Sequence, residues 1–201
     1  MCHCPFVDVT FWSSLLAWDQ QIAAQVQAAG CPHCGGALHV ANYPRKPRGE
    51  QRQTLGEAYT RRLSFSCARE GCRRRTTPPS VRFLGRKVYL GAVISVLSAG
   101  AKALSNTQFS TLIEQLNLPA QTLNRWRLWW NEQVPASAYW QSLSGWFSPP
   151  ISPRGLPGEL LVRVQGSDLC DRLWVLLQLL SPLSCGSGAL LPSVVASTQK
   201  M

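Results

Sequence analysis

Apolar residues recur at helical spacing in six stretches of this chain and alternate at strand spacing in three others. Phe11, Leu15, Trp18, Ile22 and Val26 stand three or four residues apart, which draws one stripe along an amphipathic helix over 8–29. Asp8 or Thr10 is placed to cap its first turn, and Gly30 to end it. Leu38 to Tyr43 and Arg61 to Ser66 alternate apolar and polar positions, with Tyr43, Leu63 and Phe65 apolar, and predict two strands. Val81 and Phe83 predict a last strand of the same sheet, with Arg82 between them turned to the solvent or phosphate side.

Helical spacing returns with Val88, Leu90, Val93, Ile94 and Leu97, up to Gly100. Ser105-Asn106-Thr107 offers the cap of a second helix, with Phe109, Leu112, Ile113 and Leu116 on one face. Asn117-Leu118-Pro119-Ala120 predicts a short turn. A third helix follows from Gln121 to about Asn131, with Leu123, Trp126 and Trp130 inward and Asn124, Arg125, Arg127 and Leu128 toward the outer faces. Trp140, Leu143, Trp146 and Phe147 extend the helical region. The proline-rich run over 148–158 reads as a linker or meandering loop. Ser167 or Asp168 then caps a last helix whose stripe is Leu169, Leu173, Leu176, Leu177 and Leu180, to be covered by the bundle or by another subunit. Cys170 and Cys185 are expected to be small core residues, and the tail from Gly186 to be disordered.

These elements predict an α+β chain: an N-terminal amphipathic helix (1–30), a small antiparallel ribbon (31–87), a helical bundle (88–147), and a linker, last helix and tail (148–201).

The cysteines change the picture most. Cys31-Pro32-His33-Cys34 and Cys67-Ala68-Arg69-Glu70-Gly71-Cys72 are two short-spaced pairs, enough for one four-thiolate metal site. Cys31-x-x-Cys34 also resembles the motif of thioredoxin-fold oxidoreductases, which would make this an enzyme acting through Cys31 and Cys34. That fold needs a strand before the motif and a long helix starting at it; here a helix precedes it and Gly35-Gly36 follows. A zinc ribbon with one structural Zn2+ on Cys31, Cys34, Cys67 and Cys72 fits the context better, with His33 an exposed knuckle residue and His39 a strand residue. Cys2, His3 and Cys4 are three further potential ligands at a terminus expected to fray. The N-terminus shows no basic region followed by a long apolar one, so a reducing, cytoplasmic setting is expected, where paired cysteines are metal ligands or catalytic thiols more often than disulfides. No apolar run is long enough to span a membrane.

The net charge of +10 is concentrated rather than spread. Thirteen lysines and arginines lie between Pro44 and Lys87 against three glutamates, and the rest of the chain is close to neutral. Arg45, Lys46 and Arg48 sit in a proline-stiffened loop; Arg73, Arg74 and Arg75 trail the second cysteine pair; Arg82, Arg86 and Lys87 follow. Cations of one sign in one segment point to a polyanion. Helix, short turn, helix is the helix-turn-helix arrangement, whose second helix enters the major groove, and the polar side of the helix from Gln121 offers Gln121, Asn124, Arg125 and Arg127.

Paired cysteines, trailing arginines and a helix-turn-helix over about 31–131 resemble the N-terminal region of bacterial insertion-sequence transposases and their small DNA-binding companion proteins. The resemblance implies Cys31, Cys34, Cys67 and Cys72 as zinc ligands and the helix from Gln121 as the DNA reader. Such transposases also carry an RNase H-like domain with three carboxylates holding two metal ions. After Asn131 the acids are Glu132, Glu159, Asp168 and Asp171, of which the last two cap a helix. The expectation is a zinc-dependent, non-enzymatic DNA-binding protein. It would be transposition-associated, working with a separate transposase or as a homodimer through its last helix. RNA would suit the basic ribbon equally; only the helical module favours duplex DNA. The rival from another class is a zinc-ribbon adaptor whose helices dock on a larger protein while its basic loops stay solvated.

Overall fold

Helix α1 (Val9–Ala29) starts where the Asp8 carboxylate accepts the Thr10 backbone N–H at 2.8 Å. It ends where Gly30, at φ +80°, donates its N–H to the carbonyl of Gln27. A side chain there would be strained by that φ and would press on the Gly35 carbonyl oxygen, 3.2 Å from an added Cβ. The computed structural model describes residues 8–45, 52–85 and 89–185. Cys2, His3, Cys4, Lys46, Arg48, Arg86, Lys87 and the tail from Gly186 lie outside the described residues.

The architecture is α+β, and its contacts divide it into two units. One holds the described residues from 8 to 90 together with 180–185; the other is Gly91–Leu179. The sequence draws boundaries at 30, 87 and 147 instead. Helix α1 joins the sheets because its face carrying Phe11, Trp12, Leu15, Ile22 and Ala23 is buried there, and a helix with one apolar face is not a unit of its own.

In the first unit β1 (Leu38–Val40), β2 (Tyr43–Pro44), α2 (Arg52–Thr60, kinked at Gly56), β3 (Arg61–Arg62), β4 (Phe65–Cys67) and β5 (Arg75–Thr76) follow in order. An antiparallel sheet runs β1-β4-β5, with Leu38 opposite Cys67 and Phe65 opposite Thr76; β2 and β3 form a separate antiparallel pair. Each expected strand is therefore split. At the break the Asn42 side chain accepts the Ser64 N–H at 2.9 Å, taking the place of a ladder bond.

The third strand of the sheet is β5, not Val81–Phe83. Pro78 and Pro79 have no N–H to offer a ladder, so pairing stops at Thr76. The chain then enters the interior, where Val81, Arg82, Phe83 and Leu84 are all buried, both parities alike. Arg82 corrects the expectation directly. It is fully buried, and its Nε donates to the Asp19 carboxylate at 2.7 Å. Its other nitrogens reach the carbonyls of Tyr59 and Arg61, and its guanidinium stacks over the Tyr59 and Phe83 rings. An alternation rule puts Arg82 outside; an interior carboxylate holds it inside.

Asp19 also accepts from Ser80 Oγ at 2.5 Å and from the Val81 N–H at 2.8 Å, so three donors converge on one carboxylate. The same unit recruits the end of the described chain. Ser184 Oγ accepts the Ser80 N–H at 2.9 Å and an Arg62 Nη2 proton at 3.4 Å, and the Cys185 thiol donates to the Thr77 carbonyl at 3.3 Å. Burial lowers the pKa of the Arg62 guanidinium, with the Asp19 charge opposing that shift. Ser184→Ala is expected to leave the buried Ser80 N–H without an acceptor and to cost about 1–3 kcal/mol. A lower denaturant midpoint at unchanged slope is the expected result; an unchanged midpoint would remove this segment from the fold of the unit.

In the second unit α3 (Gly91–Ala99) is buried on almost every side, so it runs through the core of the unit instead of lying on it. Ser105 and Gln108 form a capping box at the start of α4 (Asn106–Gln115). Asn117 at φ +46° turns the chain into α5 (Ala120–Leu128), which packs on α3 and passes into a π-helical turn over Trp129–Gln133. Trp126 and Trp130 are buried as the spacing predicts. After α6 (Ala138–Ser144) the expected linker is partly built into the core, because Ile151 and Leu156 are buried ahead of α7 (Gly158–Arg163). Asp168 accepts the Asp171 N–H at 2.9 Å at the start of α8 (Leu169–Leu180). All five leucines of its expected stripe are buried within this chain.

Candidate metal centre and basic surface

Two turns bring four sulfurs together. In the first, the N–H groups of Cys34 and Gly35 both point to the Cys31 carbonyl, at 3.3 and 2.8 Å, and Cys31 donates its own N–H to Gly36 at 2.8 Å. In the second, the N–H groups of Cys72 and Arg73 converge on the Arg69 carbonyl at 3.1 and 3.2 Å, with Gly71 at φ +80° completing the bend. The pairing of Leu38 with Cys67 sets the two turns side by side at one end of the sheet.

Cys31, Cys34, Cys67 and Cys72 then lie within 4.8 Å of one another, with Cys34–Cys67 at 3.4 Å and Cys31–Cys72 at 3.8 Å. Four ligands about 2.3 Å from a tetrahedral zinc are separated by about 3.8 Å, so the spacing fits one ion. The four cysteines can hold one metal ion. A set made only of thiolates selects zinc or iron over the hard cations.

The surroundings suit a bound cation. The Gly36 N–H holds the Cys34 thiol down to about 7, with help from Cys67, whereas burial pushes the Cys67 thiol up to about 12. A metal ion would offset that burial cost by taking the proton's place. Gly36 must stay small: an added Cβ would stand 3.1 Å from Arg69 Cβ, 3.3 Å from Cys67 Sγ and 3.4 Å from Cys34 Sγ. Ala23, Leu38 and Phe65 pack beside Cys31 and Cys67, with Val26, Leu63, Cys34 and Cys72 at the edge. No helix begins at Cys31, so its thiol lacks the helix N-terminus that activates oxidoreductase cysteines. His33 and His39 are exposed and outside the ligand set.

The cations of this unit are not equivalent. Arg73 and Arg74 are exposed at the second turn, and Arg74 Nη1 stands 3.2 Å from His33 Nδ1. Arg69 donates to the Cys34 carbonyl at 3.2 Å. Arg75 is exposed yet engaged: it donates to the Ala41 carbonyl and to Ser64 Oγ and lies over the Tyr43 ring. Arg45 is half-buried, donating to the Gly85 carbonyl at 3.1 Å with its guanidinium over Phe83. Arg82 is interior. On α5, in the other unit, Gln121, Asn124, Arg125 and Arg127 are exposed.

Sequence reasoning missed the interior polar set of Asp19, Arg62, Ser80 and Ser184. A signal for Asp19 exists: it stands four residues after Leu15 and three before Ile22, on the buried face of α1. A carboxylate in that position requires a buried partner.

Among the described residues no helix is long and apolar enough to cross a membrane. No family model, no curated protein and no solved structure matches this chain.

Proposed function

We propose that this chain is a zinc-dependent DNA-binding protein without a catalytic domain of its own, acting in insertion-sequence transposition. One Zn2+ on Cys31, Cys34, Cys67 and Cys72 ties two turns of a small sheet whose buried cluster there is only Ala23, Cys31, Leu38, Phe65 and Cys67, so the ion adds to a small core. The observation that carries the proposal is the pairing of that centre with exposed arginines on its own second turn, Arg73 and Arg74. They supply sequence-independent affinity for phosphates, and α5 supplies sequence preference. The transposition setting rests on the resemblance of the cysteine pairs, trailing arginines and helix-turn-helix to insertion-sequence proteins. The four-thiolate set favours a structural ion over a catalytic one, because it leaves no open ligand position.

A salt titration of the zinc-loaded full chain with duplex DNA tests the proposal. With about four phosphate contacts, affinity falls about a hundredfold between 50 and 200 mM salt. Changing Arg73 and Arg74 together to glutamine reduces the log–log slope by about 2. Negligible binding at low salt would replace the proposal with the adaptor reading, and stronger binding to RNA of the same length would redirect it.

A further inference from the structure

Helix α5 presents one outward stripe with three different chemistries. At 3.6 residues per turn Gln121, Asn124, Arg125 and Leu128 fall within an arc of about 100°. Trp126 is buried on the opposite side and fixes the rotation of the helix. Leu128 is 52% exposed, in register with Asn124 and Arg125 one turn earlier. Arg127 is exposed on the flank of the stripe. The helix carries no acid. Among the described residues no hydrogen bond or ion pair engages the side chains of Gln121, Asn124, Arg125 or Arg127. Arg69 and Arg75 near the metal centre differ in this respect, since they already donate to carbonyls of their own chain.

Resting on the DNA-binding reading, we infer that this stripe reads bases in the major groove and that Leu128 seats on the 5-methyl group of a thymine. An amide reads adenine through N6 and N7, a guanidinium reads guanine through O6 and N7, and an aliphatic tip recognises only the thymine methyl. Two basic side chains, no acid, and an apolar tip between polar neighbours match a groove with phosphate walls and a methylated floor. Arg127, off the stripe, contacts phosphate and carries no sequence information.

The test selects preferred duplexes from a randomised pool with the zinc-loaded full chain and then replaces each thymine of the selected site with deoxyuridine, which removes only the methyl. One position is expected to lose about fourfold in affinity, the worth of one buried methyl at about 0.8 kcal/mol. Leu128→Ala abolishes that difference; being exposed, the position is not needed for folding. Arg125→Gln relaxes selection at one base pair, whereas Arg127→Gln weakens all sequences alike. Selective binding indifferent to every thymine-to-uracil change overturns the inference and leaves DNA binding standing. Salt-sensitive binding that selects no sequence does the same. Absence of duplex binding at any salt overturns both.

Discussion

Cys67→Ser is expected to release the metal and unfold the sheet unit. Cys67 is the most enclosed of the four thiols, and its strand β4 is the central one, paired on both sides. A serine in its place leaves three thiolates and a hydroxyl that remains protonated at neutral pH, so the ion loses a ligand and the buried sulfurs lose their counter-charge. Structural zinc supplies about 10–16 kcal/mol in small metal-dependent folds, as much as the whole usual margin of stability of about 5–15 kcal/mol. Metal analysis of protein purified under reducing conditions should give one zinc per wild-type chain and none in the variant. The far-ultraviolet spectrum of the variant should lose strand signal and the helical signal of α1 and α2 while α3–α8 stay helical. A chelator applied to wild type should reproduce the change. Full folding of the metal-free protein would remove zinc from the account of the fold and leave the four cysteines as ordinary core thiols.

The second large effect belongs to a residue far from the metal. Asp19→Ala is expected to destabilise the first unit by about 3–5 kcal/mol, since it strands the fully buried Arg82 guanidinium without a counter-charge. Ser80 Oγ and the Val81 N–H lose their acceptor in the same step. The measurement is the denaturant midpoint of zinc-loaded protein, compared with Arg82→Ala and the double variant. The double variant should cost much less than the two single costs added together, because each single change leaves the other charge buried and unpaired. Additive losses would show that the two groups do not hold each other. Arg82→Ala should also leave the salt slope of DNA binding unchanged, because an interior cation releases no counterion.

Between them these two variants separate the parts of the molecule that were readable in advance from those that were not. The cysteine spacing, the Asp8 and Ser105 caps, the Gly30 stop and the inward faces of α4, α5 and α8 all follow from residues within one or two turns of each other. Spacing alone also marks Trp126 and Trp130 for the core. The same local logic fails at Val81–Phe83, where alternation suggests a strand. The prolines before it end the sheet, and burial on both sides erases the difference between faces.

What the sequence by itself determined is a set of local devices: the amphipathic stripes and caps of α1, α4, α5 and α8, but not α2 or α7, and the four thiols that can hold one ion. Those depend on side-chain period and on hydrogen bonds to near neighbours. Only the tertiary structure decided which cations are surface and which are interior. Arg82 meets Asp19 across 63 positions, and Ser80 meets Ser184 across 104. A charge declares nothing locally about what will cover it. Its place is set by the free energy of pairing it in the interior against leaving it in water, and that balance exists only once distant segments have come together.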